Sequence, residues 1–135
     1  MTLEQADFPN PLAALALAFD ELSGRPAAFH ATARAGGAGR VRAWTVVQAR
    51  DDAFDARAGR FTAPRNGHYL FMASAGNGAC LRLLKNSHLV AEPLAADTPL
   101  LVAALQLRAG DIVTLHADIV SPWADRAIVW RAAQA

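Results

Sequence analysis

An all-β sandwich with a short helix ahead of it is the fold class this sequence predicts. Three observations lead there. From about Pro26 onward, apolar and β-branched runs of four to nine residues alternate with turn chemistry. "GNG", "KNS" and "RAG" supply the turns that hairpins need. The only stretch rich in strong helix formers is "PLAALALAFDELS", near the start. Roughly ten short strands in little over a hundred residues are the mark of a sandwich or jelly roll.

The helix comes first. Asn10 suits the N-cap, Pro11 the first helical position and Gly24 the residue past the end. Phe8, Leu12, Leu15, Phe19 and Leu22 step by four, three, four and three, which is coiled-coil seam spacing. Such a stripe either packs on its own domain or forms a three-helix neck with two other copies, and Leu12, Leu15 and Phe19 are the candidate neck residues. Residues 1–25 are thus expected to form a helical segment and residues 26–135 a β domain.

The strands follow in order: "AAFHATA", a glycine cluster "AGGAG", "RVRAWTVVQA", a loop "RDDAFDARAG", "RFTA" up to Pro64, and "GHYLFMASA". Next come the hairpins "CLRLL"–"HLVAE" and "PLLVAALQL"–"DIVTLHADI", and "RAIVWRAA" closes the set. In "GHYLFMASA" both faces, Tyr69, Phe71 and Ala73 against His68, Leu70 and Met72, are largely apolar. A strand with one face in water alternates more cleanly, so this sheet is expected to bury its second face against another copy.

Composition narrows the function classes. A chain of 135 residues suits one domain, and its formal charge of +1 gives no electrostatic reason to expect nucleic acid. Charged residues make up 19% against 53% hydrophobic, a shortage of charge that fits surface covered in an oligomer. Abundant alanine and arginine reflect GC-rich coding. Cys80 stands alone, so no intrachain disulfide forms, and it is expected as a small buried apolar residue. The apolar run Leu12 to Phe19 follows Glu4 and Asp7, which argues against a signal peptide, and is too short to span a bilayer. The route and compartment stay open.

The spacing of Phe54, Phe61, Gly67, Tyr69 and Phe71 in "FDARAGRFTAPRNGHYLF" resembles the signature of the complement component 1q globular head, a branch of the tumour-necrosis-factor-like jelly rolls. "CLRLLKNSHLVAE" resembles that family's strand–turn–strand segment. "ALQLRAGDIVTLHA" resembles its hairpin through Leu105, Leu107, Gly110, Asp111, Val113 and Leu115. The likeness spans about residues 28 to 132, with no collagen-type repeat. It departs at Ala43, Ala49, Ala73 and the closing "AIVWRAA". The resemblance implies a jelly roll, a homotrimer with Tyr69 and Phe71 contributing to its axis, and a non-enzymatic head. Such a head binds a carbohydrate or protein through its loops; a structural trimerisation head, as on a phage or surface fibre, is the alternative.

The loops to test are Asp51, Asp52, Asp55 and Arg57, and Trp123, Asp125 and Arg126. An exposed Trp beside Arg stacks on a sugar or anchors a partner. Some family heads bind calcium through loop acids, and Asp51, Asp52 and Asp55 leave that open; with Arg50 and Arg57 flanking them, a solvated loop without cofactor is the simpler expectation. His30, His68, His88 and His116 lack metal-ligand spacing, and no serine has a nucleophile-elbow context. No metal and no catalytic residue is expected.

Overall fold

The structure, a computed structural model, describes residues 11–76, 78–93, 99–121, 123 and 126–135, with the side chains of residues 11 and 12 outside that description. The helix α1 runs Pro11–Glu21 and tightens into a 3-10 turn at Leu22–Gly24. Ten strands follow: β1 Phe29–Arg34, β2 Thr45–Ala49, β3 Phe54–Asp55, β4 Arg60–Thr62 and β5 Gly67–Ala75. The others are β6 Ala79–Lys85, β7 His88–Ala91, β8 Leu100–Leu107, β9 Ile112–Ile119 and β10 Ala127–Gln134. They form two five-stranded antiparallel sheets, ordered β2-β1-β10-β5-β8 and β3-β4-β9-β6-β7. This is a jelly-roll sandwich.

Alternation builds the core. Phe29, Ala31, Tyr69, Phe71, Ala73, Ile128, Trp130 and Ala132 point inward from the first sheet, and Phe61, Leu81, Leu83, Val113, Leu115 and Ala117 from the second. Phe29 stacks on Phe54 with ring centroids 4.2 Å apart, and Trp130 stands edge-on to both at 5.0 and 5.6 Å. Such aromatic packing adds about 0.5–1.5 kcal/mol per pair beyond area burial.

Tyr69 and Phe71 are wholly buried in this single-chain core, each in edge contact with Phe61, and the Tyr69 hydroxyl donates to the Arg65 carbonyl at 2.6 Å. That corrects the trimer-axis role expected of them: both rings face the opposite sheet of their own chain, so neither is offered to a neighbour. The outward face of β5 belongs to His68, Leu70, Met72 and Ser74.

The helix takes the first of its two expected courses and packs on its own domain. Phe19 is buried and Leu15 half-buried against the chain's own first sheet. The buried Arg131 of β10 donates from Nη1 to Asp20 Oδ1 at 2.8 Å and to the Ala16 carbonyl at 3.3 Å. Its guanidinium lies 5.9 Å from the Phe19 ring centroid. At the helix end, Gln48 Nε2 and Arg50 Nε both donate to the Ser23 carbonyl at 2.8 Å. The stripe therefore docks on its own domain. The Leu12 side chain, Phe8 and the Asn10 cap fall outside what is described.

Among the described residues, no helix is long and apolar enough to cross a membrane.

Candidate functional site

The two loops singled out by sequence lie at opposite ends of the sandwich. Asp51 sits where β1 begins: its Oδ2 accepts from the Ala27 N–H at 2.8 Å and from Arg65 Nη2 at 3.2 Å. The Ser121–Arg126 loop sits where β1 ends, since the Ala35 N–H donates to the Arg126 carbonyl at 2.8 Å. The six residues of β1 between them span about 20 Å. These loops do not form one site.

The acidic loop is turn chemistry. Asp51 and Asp52 take left-handed φ values of 64° and 49°, a conformation Asp tolerates better than most residues. The Ala27 N–H first, and then Arg65, hold the Asp51 carboxyl below the usual carboxylate range. Asp55 Oδ1 accepts the Ala58 N–H at 3.1 Å and its Oδ2 lies 3.6 Å from Arg60. Calcium needs six to eight converging oxygens. Among the described residues no three His, Cys, Asp or Glu side chains are grouped so as to hold a metal ion. Arg57 is exposed, and its carbonyl accepts the Ala43 N–H.

At the other end Trp123 is 91% exposed, with its N–H donating to Ser121 Oγ at 3.3 Å. Arg126 Nη1 lies 3.4 Å from the Ala35 carbonyl oxygen, so the guanidinium is tethered beside this loop. Asp125 lies outside the described residues. An unburied indole can stack on a flat apolar ligand face. Val120, 70% exposed, precedes the loop.

Sequence reasoning missed a third group, on the outer face of the second sheet. The register places Arg82 of β6 directly opposite His116 of β9, and Arg40 bridges His116 from the other side. Asp118 accepts from Arg82 Nη2 at 3.0 Å and from the Gly39 N–H at 3.1 Å. Scattered in sequence, these residues meet only through strand pairing. The one local signal was the alternation of Arg82, Thr114, His116 and Asp118 with core residues. His116 contacts Thr114 Oγ1 at 3.2 Å. Burial first, then Arg82 and Arg40, lower its pKa; His30 is lowered by burial first and then by Arg131.

The four histidines occupy four strands: His30 on β1, His68 on β5, His88 on β7 and His116 on β9. Two of them carry a pH dependence. With pKa values below 6.5 in the folded state, His30 and His116 bind fewer protons folded than unfolded. Their contribution to stability is complete above about pH 6.5 and is lost as pH falls toward their folded pKa values. Urea melts between pH 8 and 5 are expected to show midpoints that fall below about pH 6.5, and a His30→Gln, His116→Gln variant a flatter profile.

No protein-family model matches the chain. No curated protein matches it either. Solved structures do. The globular domain of zebrafish complement 1qA protein is 23% identical, with 78% of this chain and 94% of that chain covered and a TM-score of 0.59. Murine APRIL is 13% identical over 78% of this chain and 97% of its own, with a TM-score of 0.53. Rabbit GITRL is 14% identical over 79% and 93%, with a TM-score of 0.50. Set beside the strand order and the aromatic core, these likenesses show that the chain has the jelly-roll fold seen in the complement 1q globular domain and in tumour-necrosis-factor-like ligands.

Proposed function

We propose that the chain is a non-enzymatic homotrimeric recognition head whose loops bind a carbohydrate or protein surface ligand. The observation that carries this reading is the outer face of the first sheet. One copy of the chain leaves an apolar strip there: Leu70 is half-buried, Val102 is 52% exposed and Ala104 is exposed, side by side across β5 and β8. Exposed apolar strips on a sheet face are characteristic of association surfaces. Beside the strip, α1 occupies the same face at Arg131. In this reading residues 26–135 form the head and residues 1–25 are the N-terminal helical segment ahead of it, whose helix Pro11–Glu21 meets the head at Arg131.

Trp123 with Arg126 favours the Ser121–Arg126 end as the ligand-facing one, with Asp125 in the same loop. Asp51, Asp52, Asp55 and Arg57 serve the opposite end as a turn. Three such loops on one trimer would gain affinity through effective concentration.

The test is an immobilised glycan array probed with the intact protein and with Trp123→Ala. Loss of an exposed aromatic anchor is expected to weaken array binding about tenfold or more while leaving the thermal midpoint unchanged. Equal binding by the two proteins contradicts the loop assignment.

A further inference from the structure

We infer that the row Arg40–His116–Arg82, on the outer face of the second sheet, is a binding site for a tetrahedral oxyanion, the sulfate or phosphate group of a ligand.

The row is built by strand pairing. The Val41 N–H donates to the Leu115 carbonyl at 2.9 Å and the Ala117 N–H to the Gly39 carbonyl at 3.0 Å. Arg40 and His116 between them form a non-hydrogen-bonded pair, the closer of the two antiparallel arrangements. Arg82 flanks His116 from β6. Two guanidinium groups thus stand on either side of one imidazole, and like charges so arranged across strands repel. Asp118 is the carboxylate beside them, and both its oxygens are occupied, Oδ2 by Arg82 and Oδ1 by the Gly39 N–H. Among the described residues the buried Nε atoms of both Arg40 and Arg82 lack an acceptor.

The row therefore has unmet donors and uncompensated positive charge at the same place. A tetrahedral oxyanion supplies both acceptors and charge, and Arg forks fit its oxygens. With the anion bound, His116 faces a negative group as well as Arg40, Arg82 and Asp118, so its protonation is favoured and binding takes up a proton. Cys80, opposite Asp118 on the same face, is the remaining titratable neighbour. The lowered pKa of His116 agrees with a site whose counter-charge is missing. The site is independent of oligomeric state and of the Trp123 loop.

The test titrates the intact protein with sodium sulfate, with inorganic phosphate and with sodium acetate at constant ionic strength, following the His116 ring signals by NMR. Saturable shifts are expected with sulfate and phosphate and not with acetate, and sulfate, a dianion at both pH values, is expected to bind tighter at pH 5.5 than at pH 8. Arg40→Gln, which removes a guanidinium without touching the Arg82–Asp118 ion pair, is expected to weaken binding about tenfold or more, and Arg82→Gln likewise. Absence of saturable shifts with either oxyanion, or affinities unchanged in both variants, would overturn the site.

Discussion

Replacing Trp130 with alanine will destabilise the domain by about 3–5 kcal/mol, the usual cost of emptying a buried aromatic position. Trp130 is fully buried at the centre of the sandwich. Its ring lies 5.0 Å from Phe29, 5.6 Å from both Trp44 and Phe54, and 6.4 Å from Phe71. Four aromatic neighbours from β1, β3, β5 and the segment before β2 therefore lose one shared partner. Rigid rings on fixed strands collapse poorly into a cavity, which places the cost toward the upper end. Against a stability of about 5–15 kcal/mol, that is a large part of the whole. The thermal midpoint should fall by roughly 10–20 °C. Trp130→Phe is the informative companion. Trp130 Nε1 is buried without a partner among the described residues, so phenylalanine loses volume but also removes an orphaned donor. Its cost should be about 1 kcal/mol or less. A Trp130→Phe melt as low as that of Trp130→Ala would mean that the indole has a role this packing does not explain.

Gly59→Ala is expected to cost about 2–5 kcal/mol, although it adds a single methyl group to the turn between β3 and β4, where Gly59 is buried. Gly59 has φ 69°, a left-handed conformation that alanine adopts at a cost of roughly 1–2 kcal/mol. The greater part of the penalty is steric. A Cβ at this position falls on the backbone carbonyl oxygen of Val41 and lies 3.1 Å from Trp44 Nε1. Backbone cannot rotate away as a flexible side chain would. The same Val41 oxygen accepts from Trp44 Nε1 at 3.1 Å, so the collision reaches a buried tryptophan. Gly110→Ala is the control: φ is 94° there, but a Cβ meets nothing within 4 Å. Chemical denaturation of the two variants separates conformational strain from collision. Equal losses would show that close approach at Gly59 contributes nothing.

Both predictions bear on how much of the molecule is legible in residues alone. The strands whose ends carry turn chemistry are legible nearly to the residue. "GHYLFMASA" is β5, and Asn86 and Ser87 take the left-handed φ values, 50° and 71°, that a tight two-residue hairpin needs. "RVRAWTVVQA" is not. Only Thr45–Ala49 pairs in the first sheet. Its first half crosses to β9 of the other sheet through Arg40, and Ala43 at φ 56° marks the break. A run of β-formers does not say which sheet each half will join. Within the expected loop, Phe54–Asp55 pairs with β4, because Phe54 is drawn into the aromatic core beside Phe29 and Phe61.

Direction of burial is harder still. Tyr69 and Phe71 are large apolar blocks on any reading, yet alternation does not assign them to the core rather than to an axis, since both faces of β5 are apolar. The helix α1 covers part of the second face, at Arg131. The seam of Leu15 and Phe19 therefore meets a sheet of its own chain. The site is the least legible of all. Arg40 and Arg82 are 42 positions apart (82 − 40), and Arg82 and His116 are 34 apart (116 − 82). Only pairing of β6, β9 and the Arg40 segment aligns them. Asp51 and Trp123 are each legible as loop residues, but their placement at opposite ends depends on the course of β1.

The central claim is a trimer assembled through the outer face of the first sheet. Sedimentation equilibrium across a dilution series tests it most directly. The account predicts a mass near three times 14.3 kDa that survives dilution. A species that stays at 14.3 kDa at every concentration would contradict it, and with it the gain in affinity expected from three linked loops.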